Sequence, residues 1–508
     1  MKEILLLSLL LHTSSFSCEY GLMMFFTIST KSVDGGGLMN AFADRLSSLL
    51  NSMNVIPDVW SIGVAAKNLG AALTMPEKTV DEAIPMPVVI IDRALDIVSC
   101  SKSGMSAFEV IATALGRSGT CDVRVPLDSA FGDRIDDDSF AGSLAHPDDS
   151  SSKFFFDQSL TRPFLNFASS QVGKMKQFPG GSKEAVKGNM TAEVISQRLM
   201  AALQECNSNE KWVSEHSVLV DWVCAIERAS FLMNGPSLMY DTVASIQKLF
   251  IQWVATMPGD ITHQVISTLG KRYEIGTGGG FTTVEALLPF DTVLLIIAML
   301  YSLLGPEAGS RLDRGAIENF LVGFAQDSPL GITDAAAARA LIEPAFAVFE
   351  KLAVSRSMCR DLRMPLVSTQ TNDYSGVTEA VVRSVAEPNV SQLNALVHCN
   401  GASGSRAGGS TVGGMFRKTF GLGSAAPTAV TTIHDMIMAN SGHVAFVFLG
   451  GISLQELLAV RSICASNRIP YPHIISTALL NRTALTSMLF PEVTELISSK
   501  SIPSSSTQ

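Results

Sequence analysis

Two runs of consecutive apolar residues dominate the hydrophobic pattern. Val88-Val89-Ile90-Ile91 follows Pro85 and Pro87 and ends in Asp92-Arg93, and Val444-Ala445-Phe446-Val447-Phe448-Leu449 ends in Gly450-Gly451. β-Branched and aromatic runs without polar alternation predict strands buried on both faces, the centre of a parallel sheet. Helical spacing follows each, at 105–116 and 453–466, so each run opens half of a βαβ unit. Ile474-Ile475 reads as the next strand. The two main strands are expected in one parallel sheet although about 350 residues separate them.

Between them the spacing turns helical, through 192–206, 212–233, 238–256, 283–304 and 334–354, with Asp334 as the cap of the last. No strand signal of similar strength interrupts this stretch. The pattern predicts an α/β domain, discontinuous in sequence, whose parallel sheet is left by the chain for a large inserted helical domain and then rejoined. Thr292–Leu304 is apolar throughout but about thirteen residues long, short of the roughly 20 that a bilayer requires. Asp291 and Gly305-Pro306 bound it, so it is expected as a core helix and not a transmembrane span. At the N-terminus, Met1-Lys2-Glu3 and the apolar Ile4–Leu11 have the outline of a signal peptide. Glu3 and the shortness of the run favour a buried element instead.

Composition narrows the function. Of 508 residues, 47% are hydrophobic and only 17% charged, so much apolar surface must be buried in a core or against partners. The formal charge is −10, which argues against nucleic acid, since phosphate neutralisation needs dense Lys and Arg. Eight cysteines, none in a C-x-x-C pair, give no disulfide framework and no zinc ribbon.

Candidate chemistry is sparse. Asp122–Asp149 is an acidic loop in which Asp136-Asp137-Asp138 offers hard oxygen ligands, without the ligand spacing of an EF-hand. Gly401–Gly423 is Gly- and Ser-rich, and Gly409–Gly414 satisfies G-x-x-x-x-G, but Lys418-Thr419 comes four positions too late for a phosphate loop. A phosphate- or nucleotide-handling enzyme using this stretch and the Asp92 edge is the alternative function. There is no G-x-S-x-G and no H-E-x-x-H. His443 and His473 begin strands and read as structural; His398-Cys399 are neighbours in sequence and so are expected to point apart. Asp92 and Asp96 flank the carboxyl end of a buried strand, where α/β proteins bind ligands. Without a glycine-rich turn behind them, the favoured reading is local: Asp92 accepts backbone N–H groups of the next turn, and Arg93 pairs with a neighbouring carboxylate.

Val88–Asp96, with its Asp92-Arg93 and Asp96, resembles the strand signature of the SM family, the Sec-one/Munc-eighteen group of SNARE-binding trafficking proteins. Phe446–Leu457, with Gly450, Gly451 and Glu456, resembles the family's glycine motif, and Ala459, Val460 and Arg461 continue it. Ile475–Leu480 is similar to the strand and Ser-Thr turn that follow, and Asp291–Leu304 to the apolar helix of the family's helical domain. The match is that of a divergent branch, near the Sec-one-family-domain-containing-protein-two group. Ser453 and Leu454 stand where the family has Thr and Tyr, and the N-terminal α/β domain that precedes the first motif in the family is expected to be mostly missing.

The resemblance implies a non-enzymatic regulator of vesicle docking and membrane fusion. It would have syntaxin-type SNAREs as partners, and no cofactor is implied. A vesicle-tethering complex is a further expected partner, nucleic acid is not, and membrane association would be peripheral and through partners. The expected location is cytoplasmic, at secretory-pathway membranes. The expected divisions are 1–37, a remnant of the N-terminal domain or a signal-like segment; 38–150, the first part of the α/β domain; 151–375, the helical insertion; 376–495, the return to α/β; and 496–508, a disordered tail. Asp92, Arg93, Asp96, Gly450, Gly451, Glu456 and Arg461 are expected to be structural, with Glu456 favouring the positive end of its helix.

Overall fold

The computed structural model describes residues 14–18, 21–25, 35–73, 84–101, 124–126, 140–143, 164–174, 191–206, 222–227, 237–277, 281–286, 288–357, 376–388, 393–399, 432–480 and 482–501, with isolated positions between these. A seven-stranded sheet forms its centre. The strands run across it in the order Ser14–Cys18, Gly21–Phe25, Tyr471–Ser476, His443–Leu449, Ile84–Asp92, Val55–Ile62 and Val397–His398. The five inner strands pair in parallel. The two outermost pair antiparallel to their neighbours, which makes the sheet mixed and not purely parallel.

The two motif strands are immediate neighbours, with Ala445 opposite Val88 and Phe448 opposite Ile91. Their side chains alternate between two cores, as a strand's period of two requires. Val88, Ile90, Ala445, Val447 and Leu449 face Phe42, Leu46 and Leu50 of the helix Gly35–Ser52 and Leu69 of Val64–Ala72. Val89, Ile91, Phe446 and Phe448 face the other way, toward Val381 and Val385 of Val377–Ala386, Ile437 of Ile433–Ala439, and Leu457 and Val460 of Leu454–Ser466. Because helices cover both faces, neither strand has a polar position to spare.

A third core is built around the helix Phe290–Leu304, in which every residue from Thr292 to Ser302 is buried. The helices Ser237–Thr256, Thr262–Leu269, Arg314–Asp327 and Ala335–Ser357 supply residues to the same core. The continuous helical run Phe290–Arg311 is long and apolar enough to cross a membrane, but 78% of its most apolar window is buried inside the protein. Asp334 caps its helix as expected, accepting the N–H groups of Ala336 and Ala337.

Several expectations differ from what is observed. The helix expected over 283–304 starts at Phe290, because Pro289 at its N-cap blocks extension backwards. The strand Phe281–Ala286 lies before it and pairs with Arg272–Thr277, a hairpin inside the helix-rich stretch, where no strand was expected. Thr283 and Val284 are β-branched, and this preference won over their share in the apolar periodicity. Within the acidic loop, Arg124–Pro126 pairs with Phe140–Ser143; Asp136, Asp137 and Asp138 lie outside the described residues. Ser14–Cys18 and Gly21–Phe25, in the 1–37 segment, extend the central sheet. At the other end the helix Pro491–Ser501 continues into the stretch read as a disordered tail, and Leu496 and Ile497 pack against the helical core. The helix expected at 105–116 is described only in part, with Ala107, Val110 and Ile111 buried on the sheet's core. Ile4–Leu11 and Gly401–Gly423 lie outside the described residues.

Candidate functional site

The carboxyl ends of the two motif strands meet a dense group of charged side chains. Asp92 ends its strand and accepts from the backbone N–H of Ala94 at 3.0 Å and of Ala65 at 2.9 Å. Ala65 is in the first turn of Val64–Ala72, so the carboxylate serves the positive end of a helix that follows the neighbouring strand. Gly63 makes the approach possible: its φ is +99°, and a Cβ there would stand 2.3 Å from the Cβ of Asp92.

Arg93 turns inward. Its Nε donates to the Gly451 carbonyl at 2.9 Å, and Nη1 donates to the Asp96 carbonyl at 2.9 Å and to Glu456 Oε1 at 2.8 Å. Glu456 is the third residue of the helix Leu454–Ser466 and forms a capping box with Ser453. Its carboxylate also accepts from the Thr378 hydroxyl at 2.7 Å and the Cys100 thiol at 3.0 Å. The role expected for it, a charge at the end of a helix dipole, is therefore a minor part of what it contacts. Gly450 and Gly451, with φ of +88° and +101°, turn the chain from strand to helix beneath Arg93.

Asp96 gathers a second set. Oδ1 accepts from the N–H groups of Val98 and Ser99, and Oδ2 from the Ser99 hydroxyl and from the N–H of Val377 at 2.8 Å. Arg356, at the end of Ala335–Ser357, donates to the Leu95 carbonyl at 3.3 Å. Burial works against the charge on Arg93, yet the Glu456 and Asp96 carboxylates hold its pKa above the ordinary guanidinium value. Burial also opposes ionisation of Asp96, but Arg356, the Val377 N–H, Arg93 and Ser99 keep it below the usual carboxylate range. Burial pushes the Cys100 thiol and the Tyr374 phenol well up, so both stay protonated.

The cluster is closed to solvent. Arg93, Asp96 and Glu456 are 4%, 1% and 4% exposed, which leaves no path for a substrate. Its hydrogen-bonding capacity is almost fully used inside the protein; Arg93 Nη2 alone of its polar atoms is buried without a partner among the described residues. No group of three or more His, Cys, Asp or Glu among the described residues is arranged to hold a metal. Arg461 lies on the same helix as Glu456, is partly exposed, and takes no part in the cluster. Spacing along the chain gave no sign of Thr378, Ser99, Cys100 or Arg356.

Three of the described histidines, His398, His443 and His473, also have structural surroundings. His398 Nε2 meets Asp58 Oδ1 at 2.6 Å and its ring packs 4.7 Å from Trp60, which ties the edge strand Val397–His398 to the sheet. His443 Nδ1 and His473 Nε2 are 3.3 Å apart with stacked rings. Burial, with His443 beside it, lowers the His473 pKa to about 4. A surface groove of about 730 Å³ lies on the helical core, with Gly305, Ala308, Gly309, Asp260, Asp313 and Glu350 among the residues that line it.

No protein-family model matches the sequence, and no curated protein matches it. Solved structures do. The SM protein Vps45 in complex with the Qa SNARE Tlg2 (1-310) superposes with a TM-score of 0.51 at 12% identity, over 93% of this chain and 74% of that one. A second structure of Vps45 with Tlg2 gives 0.51 at 11% identity, over 93% and 75%. The chain has the SM-protein fold. In this SM fold the two stretches that resemble family signatures, Val88–Asp96 and Phe446–Leu457, form the adjacent central strands and the buried charge cluster at their ends.

Proposed function

We propose that this chain is a non-enzymatic, SNARE-binding regulator of vesicle docking and membrane fusion. The observation that carries the proposal is the SM fold itself, matched over 93% of the chain to a protein solved with a Qa SNARE. Syntaxin-type SNAREs are the proposed partners, with a vesicle-tethering complex as a second. The proposed location is cytoplasmic, peripheral to secretory-pathway membranes. Holding SNARE helices in register would lower the ordering cost that such segments incur when they fold on binding. The buried charge cluster supports a role without catalysis, because Asp92, Arg93, Asp96 and Glu456 spend their hydrogen bonds on backbone and neighbouring side chains. The proposed divisions are an α/β domain from two stretches, 38–150 and 376–495, with 151–375 as the helical insertion. Co-precipitation of the purified chain with a panel of SNARE cytoplasmic segments tests the proposal. Association with at least one syntaxin-type member is expected, and no association with any SNARE overturns it.

A further inference from the structure

The buried apolar side chains divide into separate cores. Ile91, Leu95, Leu457 and Val460 belong to one core of the sheet, while Ile97, Cys100, Phe250, Phe349 and Leu352 belong to the helical core. The segment 92–101 carries the chain from one to the other, and the charge cluster sits at the crossing. Two hydrogen bonds span it, and a third ties its far end, beside Cys100, to the helical core. Cys100 donates to Glu456 at 3.0 Å, Arg356 donates to the Leu95 carbonyl at 3.3 Å, and Gln247 Nε2 donates to the Ser101 carbonyl at 2.6 Å. Arg356 and Gln247 stand on two different helices of the helical core.

We propose that this cluster is a charge-locked joint, and that it makes the sheet and the helical core unfold as one unit. Apolar contacts tolerate sliding, because they are non-directional. Charged hydrogen bonds in a closed site do not, because any shift leaves a buried charge without its partner. Glu456 is the sensitive member: on the sheet side it is the only carboxylate that accepts from Arg93 among the described residues, and across the joint it accepts from the Cys100 thiol. A small relative movement of the two cores would therefore be resisted at the Glu456–Cys100 and Arg356–Leu95 contacts together. The inference does not depend on SNARE binding.

Calorimetry and hydrogen exchange on the full chain test it. The wild-type chain is expected to show one thermal transition for both cores. Glu456→Gln, which removes the charge and keeps the shape, is expected to split that transition. It should also raise exchange in 93–101 and near Arg356 well before exchange in His443–Leu449. Should that variant fail to fold, Arg356→Lys retains the charge and shortens only the reach to Leu95, and a smaller split is expected. Two separate transitions in the wild type, or a single lowered transition with uniform exchange in the variants, overturns the proposal.

Discussion

Asp92 shows how a residue at a ligand-binding edge can be committed to the fold instead. Both of its backbone partners are N–H groups at turns, and one belongs to another strand's helix. Asp92→Asn removes the charge and one of the two acceptors, so a loss of about 1–2 kcal/mol is expected. SNARE association per folded molecule should not change, with circular dichroism as the folding control. A fully folded variant that loses all association would mean that Asp92 contacts a partner directly. His473 makes a separate prediction about pH. Its folded pKa of about 4 lies below the ordinary value of 6.5, so the unfolded chain binds the proton first as the pH falls. The stability is fully present above about pH 6.5 and is lost progressively down to about pH 4, by up to roughly 3 kcal/mol. Thermal midpoints at pH 7 and pH 5 should differ more for the wild type than for His473→Asn; equal differences would count against it.

At the scale of elements, the strand-to-helix turn after Leu449 is the point most exposed to a single substitution. A Cβ on Gly451 would stand 2.5 Å from Leu480 Cγ, at a φ of +101°. Gly451→Ala is expected to cost about 1–3 kcal/mol from backbone strain, before any clash is counted. Leu480→Ala in the same chain should relieve the clash but not the strain, so a melting experiment on the double variant separates the two. A Gly451→Ala chain as stable as the wild type would contradict this reading of the turn. The central strands were legible in the sequence because burial on both faces demands an unbroken apolar run, which few other environments do. The hairpin was not, because Phe281–Ala286 merges in composition with the apolar helix that follows Pro289. The charge cluster was legible only in part. Asp92, Arg93 and Glu456 stand beside recognisable strands. Arg356 and Val377, however, reach the Asp96 turn from 261 and 281 residues away, and local spacing carries no information about such partners.

For the whole molecule, the fold is established at 11–12% identity to its solved neighbours, a level at which surfaces diverge while cores persist. In this chain the buried features are two parallel strands brought together from distant parts of the sequence, helices on both faces, and a charge cluster where the helical core begins. The proposed partner recognition would lie on surfaces that the fold does not fix. The most direct test of the proposed function is equilibrium binding of the purified chain to the cytoplasmic segments of a panel of syntaxin-type SNAREs, with Asp92→Asn and Gly451→Ala as controls for folded content. Saturable binding to at least one, in proportion to the folded fraction of each variant, is the predicted result. No binding by a folded wild-type chain to any SNARE in the panel would contradict it.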